Sequence, residues 1–360
     1  MYIKSIETFD VAVPLTKPFK TALRTVTTAY SVYVTITTSD GIVGHGEAPP
    51  THVITGESMD SIRYAINEII APQLIGMNIL QSEQIFQKLN TALVRNTSAK
   101  AALDMAIYDI LAKHSGLPLY QFLGGYRKKL ETDFTVSVND PSEMADDAEQ
   151  YIKDGFKVLK VKVGIGEIKD DIQRIRAIRD RVGMTPKLRL DANQGWNAKE
   201  AVKAISLMED TGLSIEFVEQ PVPAWDLEGL KYVTDHTYTP IMADESVFSV
   251  QDAKQVLKMR AADLINIKLM KSGGIYHAQK INTLAEASGV KCMVGSMIET
   301  KLGITAAAHF AASQPNIRYF DFDAPLMLKN DLIVGGVIYD KSDMTFSNEP
   351  GLGIVHVNLD

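Results

Sequence analysis

Three acidic side chains define the chemistry within reach of this 360-residue chain. Asp191, Glu219 and Asp244 each close a short apolar or β-branched run, in LRLDAN, FVEQP and MADES. If these runs are parallel strands of one sheet, their C-terminal ends open on one mouth, where buried strand residues are ordinarily apolar. Three carboxylates gathered there repel one another unless a cation neutralises them. All-oxygen donors without His or Cys select a hard ion, and a set that leaves room for water and substrate favours Mg2+ or Mn2+ over a closed Ca2+ cage. One Mg2+ per chain is therefore the expected cofactor. A single strand-end acid could equally cap a helix or pair with an arginine; three in successive units point to a metal.

Lysines flank this set. Lys160 and Lys162, in KVKVG, are two residues apart and so share one face of a strand, and Lys268 stands in INIKLM four units later. In an eight-stranded ring that spacing is diametric opposition. A substrate anchored through a carboxylate on the metal would have a lysine on each side. Desolvation and neighbouring cations are expected to lower each lysine's pKa so that it can act as a base, with Lys160 depressing Lys162. The metal would stabilise the enediolate formed when the α-proton leaves, and opposed bases would allow inversion at that carbon. The alternative is a structural network in which lysines merely neutralise the acids.

The elements that must position these groups recur with a near-constant period. Eight runs, marked by Thr135, Lys162, Asp191, Glu219, Asp244, Lys268, Ser296 and Asp321, follow one another at 24 to 29 residues. That is about one βα unit each, and eight units close a barrel. The expected fold is α/β, a modified (β/α) TIM-type barrel over residues 126–325. An α+β capping domain is expected over 1–125, with strand-like Ile3 to Val13 and Ser31 to Thr38, an Asp40-Gly41 turn, and helices from Ser58 to about His114 stopped by Gly116-Leu-Pro118. Little helix follows Asp323, and residues 326–360 read as short strands returning to the capping domain.

Composition excludes several other roles. A formal charge of −7 and a pI near 5.6, without a basic patch, argue against nucleic-acid or anionic-membrane partners. No apolar run nears the roughly 18 residues of a membrane span. The N-terminus alternates like a strand and lacks the layout of a signal peptide. Cys292 is the only cysteine, which fits a reducing compartment, and a cytoplasmic location is expected. The seven histidines form no i, i+4 ligand pair, and Gly44-His45-Gly46-Glu47 reads as turn or core rather than as a phosphate cradle. Trp196 is expected to start the next helix or to pack beneath the loop, without a chemical role, and Glu299 and Lys301, polar enough to line the mouth, are expected to support its loops.

KVKVG, LRLDANQGW, FVEQPV, ADES and INIKLMKSGG fall in this order on the expected strands. Over essentially its whole length the chain resembles the enolase superfamily, in the muconate-lactonizing-enzyme subgroup. Gly295-Ser296 stands where the mandelate-racemase subgroup carries a His base, which disfavours that chemistry. Cycloisomerases, o-succinylbenzoate synthases, N-acylamino acid racemases and dipeptide epimerases share the metal and lysine apparatus of this subgroup. Asp321-Phe322-Asp323 sets two carboxylates on one face, suited to a free ammonium group, which N-acyl and muconate substrates lack. In the dipeptide epimerases that the chain resembles, such a pair binds the substrate's N-terminal ammonium, and an arginine in a mobile capping-domain loop pairs with a glutamate side chain. Arg24, in KPFKTALRTV, matches that arginine, and Thr135, Ser296 and Ile298 fall at positions lining the same pocket. The resemblance implies Mg2+-dependent 1,1-proton transfer on L-Ala-D/L-Glu or a similar dipeptide, with Lys162 and Lys268 serving the two faces and Lys160 assisting electrostatically. It also implies an even-numbered homo-oligomer and a role with murein-derived peptides. Two local alternatives stay open: Asp321 and Asp323 paired with barrel lysines, and Arg24 as a solvated hairpin charge. The rival functions are an N-succinylamino acid racemase or o-succinylbenzoate synthase on the same scaffold, and a catalytically silent barrel used for binding.

Overall fold

The computed structural model describes residues 1–358. The alternating N-terminal sequence forms an antiparallel sheet of β1 (Ile3–Lys20), β2 (Thr25–Thr38) and β3 (Val43–Ala48), in that order. Val32, Val34 and Ile36, spaced by two along β2, are fully buried on one face. Helices cover it: α1 (Met59–Tyr64) running through a π-helical turn (Ala65–Ile70) into α2 (Ala71–Leu74), then α3 (Ser82–Thr91), α4 (Thr97–Ser115) and α5 (Leu119–Phe122). The Ala-rich α4 is buried on nearly every side. Gly44 and Gly46 let β3 press directly on its backbone at Ala106 and Ala102, where a Cβ would collide. The helix ends at Gly116 in the left-handed conformation, as the Gly-Leu-Pro stop requires.

A short strand, β4 (Lys129–Glu131), leads into the repeats. The eight expected runs are the strands β5 (Phe134–Val136), β6 (Val158–Lys162), β7 (Lys187–Asp191), β8 (Ile215–Glu219), β9 (Ile241–Ala243), β10 (Leu264–Lys268), β11 (Lys291–Gly295) and β12 (Ile317–Phe320), parallel and neighbouring in sequence order. Between them run α6 (Pro141–Lys153), α7 (Ile168–Val182), α8 (Ala198–Asp210), α9 (Leu227–His236), α10 (Val250–Met259), α11 (Leu269–Ser272), α12 (Ile275–Ala287) and α13 (Lys301–Ser313). Only a 3-10 turn, Ala324–Met327, follows β12. The ring is a curled sheet rather than an evenly laddered barrel. Its first and last strands meet through Asp133 N to Phe320 O (3.4 Å) and Phe322 N to Thr132 Oγ1 (2.9 Å).

The lower interior of the ring is plugged. Phe217, Met242, Leu264 and Met293 pack with Tyr319, and the Arg189 guanidinium lies over the Phe217 and Tyr319 rings at 5.3 and 5.2 Å while bonding Asp133 (2.8 Å) and Glu216 (2.7 Å). Polar groups further along the strands are thus confined to the opposite mouth. Past the ring, β14 (Ile338–Asp340) and β15 (Asp343–Thr345) join β4, after β13 (Ile333–Gly335), which pairs with β16 (Ile354–Val357). Between these strands, Gly351 O accepts from Leu119 N (2.7 Å) and Leu352 N donates to Asp109 Oδ1 (2.8 Å).

Buried carboxylates tie the N-terminal layer together and to the ring, each satisfying N–H groups that a helix start leaves unpaired. Glu57 accepts from Ser98 N (2.9 Å) and Ala99 N (3.1 Å) at the start of α4. Asp104, within α4, accepts from Ile275 N (2.6 Å) and Tyr276 N (3.2 Å) at the start of α12, and Gly274 (φ +116°) leaves the space that its carboxyl fills. Replacing Asp104 with Ala would leave both N–H groups buried without a partner. We expect Asp104→Ala to lose about 2–4 kcal/mol of stability, and Asp104→Asn, which keeps one carbonyl acceptor, to lose less. Urea unfolding measures this; an unchanged Asp104→Ala midpoint would show that these bonds carry no net stability.

Candidate active site

Strand register builds the site. Lys162 on β6 pairs with Asp191 on β7, and Asp191 with Glu219 on β8, so the three end their strands side by side. Lys160, two residues earlier on the same face of β6, is 1% exposed, and Asp191, Glu219 and Asp244 are fully buried. Lys160 Nζ lies 2.7 Å from Asp321 Oδ2, 2.8 Å from Glu219 Oε2 and 3.2 Å from Asp191 Oδ2. Lys162 Nζ is 2.6 Å from Asp191 Oδ2, and Lys268 Nζ is 2.7 Å from Asp244 Oδ2. One ammonium therefore binds the ends of β7, β8 and β12 together.

A second layer orients these groups. Asn266 Nδ2 donates to Glu219 Oε1 (2.7 Å), Asn193 N to Asp191 Oδ1 (2.9 Å), and Asp244 N to Gln220 Oε1 (2.8 Å). Lys271, fully buried, stands 2.6 Å from Asp244 Oδ1 and donates to the carbonyls of Val247 (3.1 Å) and Asn266 (3.0 Å). Sequence reasoning assigned none of these roles. Asn266 was findable, since it shares a face with Lys268 two residues on; Lys271 turns back into the site only because α11 starts there.

The expectation of depressed lysine pKa values is corrected at Lys160 and Lys268. Burial opposes their charge, but Asp321, Glu219 and Asp191 around Lys160, and Asp244 beside Lys268, outweigh it and hold both pKa values above the ordinary lysine range. Carboxylates are simply nearer than other cations. The acids respond in kind. Burial works against ionised Asp191, yet Lys162, Lys160 and Lys268 keep it down at about 2, and Lys268 and Lys271 likewise hold Asp244 low. Burial and the Asp191 charge push Glu219 up to about 7, and burial and the Asp321 charge do the same to Asp323.

Above this floor is a cavity lined by nine of the twelve residues singled out from sequence: Arg24, Thr135, Lys160, Lys162, Lys268, Ser296, Ile298, Asp321 and Asp323. Asp191, Glu219 and Asp244 lie beneath, in contact with the lysines. Asp321 does pair with a barrel lysine, as one alternative held, and it still faces the cavity; Asp323 Oδ2 accepts from Thr135 N (2.6 Å). Ser296 Oγ is 3.5 Å from Asp321 O. Arg24 is half-buried, and burial lowers its pKa, so it is not a freely solvated hairpin charge. Its loop is pinned by Thr21, whose Oγ1 accepts from Leu23 N (3.1 Å) and Arg24 N (3.3 Å). Among the described residues no carboxylate pairs with Arg24. Phe19, Leu23, Val53, Ile54 and Met297 complete the wall, and nothing in their local sequence marked them.

The donor set fits a hard divalent cation in chemistry: three fully buried carboxylates with no nitrogen or sulfur among them. Glu219 Oε2 and Asp244 Oδ1 make no hydrogen bond, although lysines stand within 2.8 and 2.6 Å. As the side chains lie, they are turned onto those lysines, and among the described residues no group of three or more His, Cys, Asp or Glu forms a ready cage. Metal binding by these acids would therefore exchange lysine contacts for cation contacts. At a Mg2+ concentration of about 100 times Kd, wild type should gain about 2.7 kcal/mol of stability, and Asp191→Asn should gain far less. Thermal unfolding with Mg2+ and with chelator tests this; equal responses in the two proteins would remove Asp191 from the ligand set.

Comparison with known proteins agrees across the whole chain. Residues 3–124 match the mandelate racemase / muconate lactonizing enzyme N-terminal domain, and residues 143–357 match the enolase C-terminal domain-like family. L-Ala-D/L-Glu epimerase of Bacillus subtilis (strain 168) is 64% identical over 359 residues, spanning 100% of this chain and 98% of the relative. The solved substrate-liganded complex of the B. subtilis epimerase superposes with a TM-score of 0.99, covering 99% of each chain. An L-Ala-D/L-Glu epimerase of Clostridium acetobutylicum is 52% identical over 358 residues, 99% of this chain and 100% of that one. Dipeptide epimerase from Enterococcus faecalis V583, solved with Mg and the dipeptide L-Leu-L-Tyr, is 45% identical with a TM-score of 0.96, covering 99% of this chain and 100% of that one. With an eight-stranded parallel ring, a capping sheet and helices, and family models matched over residues 3–124 and 143–357, the chain belongs to the enolase superfamily, in its mandelate racemase and muconate lactonizing enzyme group.

Proposed function

We propose that this chain is a Mg2+-dependent dipeptide epimerase, an isomerase that inverts the α-carbon of the C-terminal residue of L-Ala-D/L-Glu or a similar dipeptide. One observation carries the reading: Lys162 and Lys268 come from β6 and β10, with three strands between them either way round the ring, and both line one cavity. Two proton carriers on opposite sides of one carbon are what a 1,1-proton transfer needs. Lys162 takes the α-proton from one epimer, and Lys268 returns a proton to the other face; the roles reverse for the reverse reaction. Each ammonium is held by one carboxylate, Asp191 or Asp244. At Lys268, loosening that contact lets burial favour the neutral amine, the form that can accept a proton.

Mg2+ held by Asp191, Glu219 and Asp244 would supply positive charge to the substrate carboxylate as negative charge develops on it. Lys160, already bridging Asp191, Glu219 and Asp321, adds a fixed cation beside it. At the amino end, Asp321 and Asp323 form a buried anionic pair in which Asp323 bears the repulsion; a dipeptide's ammonium relieves that strain. At the other end Arg24 offers a guanidinium to a side-chain carboxylate. Ile298, Met297, Phe19 and Leu23 exclude water around the α-carbon. N-succinylamino acids and o-succinylbenzoate precursors bring no ammonium to Asp321 and Asp323, so the pair favours the dipeptide reading over those two. A silent binding barrel has no need of opposed lysines. No helix among the described residues is long and apolar enough to cross a membrane, and we place the enzyme in the cytoplasm as a homo-oligomer.

Proton NMR of the Mg2+-loaded protein with L-Ala-L-Glu in D2O tests the reading directly. The glutamyl α-proton signal should disappear as the L,D diastereomer accumulates, and chelator should stop both. Exchange only with N-succinylamino acids would overturn the substrate assignment, and no exchange with any of these compounds would overturn the activity. Lys162→Ala should lower kcat about 1000-fold with the fold intact. Arg24→Leu should lower kcat/KM for the glutamyl dipeptide about 30-fold, through loss of a charge-assisted pair worth about 2 kcal/mol.

A further inference from the structure

Two buried carboxyl groups meet at the seam between the ring and the capping sheet. Glu47, on β3, is fully buried, and Glu299, just past β11, is 2% exposed. Glu47 is saturated: Oε1 accepts from Thr300 N (2.8 Å), and Oε2 from Thr300 Oγ1 and Gly303 N (2.7 Å each). Tyr33 OH, 2.5 Å from Thr300 Oγ1, extends this network into β2. Glu299 is only half satisfied. Its Oε1 accepts from Met297 N (2.9 Å), while Oε2 is buried with no hydrogen-bond partner among the described residues. Both Oε2 atoms converge over Gly303, where an added Cβ would lie 3.1 Å from that of Glu47 and closer still to that of Glu299.

Two anions so close in a dry seam are costly, and a single proton resolves the conflict. Glu47, with three donors, is the better-solvated anion. Burial and the charge of Glu47 push Glu299 up to about 8. The other charged or titratable groups around it are Lys268 of β10, Tyr33 of β2 and the Lys301–Asp331 ion pair on α13 and the segment after Met327. Lys268 favours the charged form, but more weakly than burial and Glu47 oppose it.

The stretch between these two anchors is part of the substrate cavity: Ser296, Met297 and Ile298 line it. We propose that Glu299, protonated against Glu47, is a positioning residue that holds the 296–300 rim in the shape that receives substrate. This rests on the reading of the cavity as the substrate site. Losing that proton sets charge against charge behind the rim. Because the rim forms wall rather than reacting atoms, KM should respond more than kcat.

The test compares wild type, Glu299→Gln and Glu299→Ala by kcat and KM from about pH 7 to 9.5, and by urea unfolding from about pH 5 to 9.5. The dipeptide's own ammonium titrates in this range and raises KM in every form alike, so the ratio is what reports on Glu299. Wild-type KM relative to that of Glu299→Gln, which cannot ionise, should rise about fivefold across the alkaline range, and Glu299→Ala should already have a KM about fivefold above wild type at pH 7. The folded pKa lies above the unfolded value, so wild type should lose stability relative to Glu299→Gln as pH rises from about 4.5 to about 8, by up to about tenfold in the unfolding equilibrium constant per pH unit, and the difference should level off above that. Parallel KM profiles for wild type and Glu299→Gln, or a stability difference that ignores pH below 8, would overturn the proposal. Should wild type turn over no dipeptide while the stability difference follows this course, the proton on Glu299 stands and the substrate reading falls.

Discussion

The ammonium of Lys160 is the charge on which the mouth of the ring depends. It is taken almost wholly out of water, which costs several kcal/mol per ion, and the loss is offset only because Asp321, Glu219 and Asp191 surround it at 2.7, 2.8 and 3.2 Å. Those carboxylates are themselves buried, so removing either sign would strand the other. The same mutual neutralisation recurs at Asp244, between Lys268 and Lys271. The site is thus a balanced set of charges in a low-dielectric well, and Lys162 and Lys268 are each presented already joined to an acid.

That balance needs a dry floor and a lid. Below, the Phe217, Met242, Leu264 and Met293 layer with its Arg189 plug closes the ring to water. Above, Phe19, Leu23 and Arg24 reach over from the hairpin of β1 and β2, whose Leu15 and Ala29 pack with Phe134, Phe156 and Ile298 on the rim. The hairpin keeps its place because Glu47 and Asp104 hold the layer beneath it to the starts of ring helices α13 and α12. The part of the cavity wall that the capping layer supplies is therefore mechanically coupled to helices outside the cavity.

How much of this was legible follows from how strands bury. A parallel strand covered on both faces reads as an unbroken apolar run, so Asp191, Glu219 and Lys268 stood out against it, and their regular spacing exposed the eight units. Asp321 and Asp323 were legible in the same way. The pKa values of Lys160 and Lys268 run opposite to expectation because sequence order shows which groups share a mouth, not which stand nearest; the carboxylate contacts, at under 3 Å, decide the sign. Phe19, Val53 and Ile54 left no trace, since apolar residues in loops look alike wherever they point.

By itself, then, the amino-acid sequence determined the kinds of groups available and the strand ends that bear them, because periodicity and side-chain chemistry are local properties. It also determined that opposed lysines would face one another, since position in an eight-fold ring is arithmetic. Tertiary structure alone decided the distances: that Lys160 rather than a neighbour bridges three acids, that Lys271 folds back onto Asp244, and that Glu299 meets Glu47 across the seam. Those outcomes depend on how two layers of the chain, some 250 residues apart for Glu47 and Glu299, settle against each other. Electrostatic energy varies too steeply with separation for residue order to stand in for it.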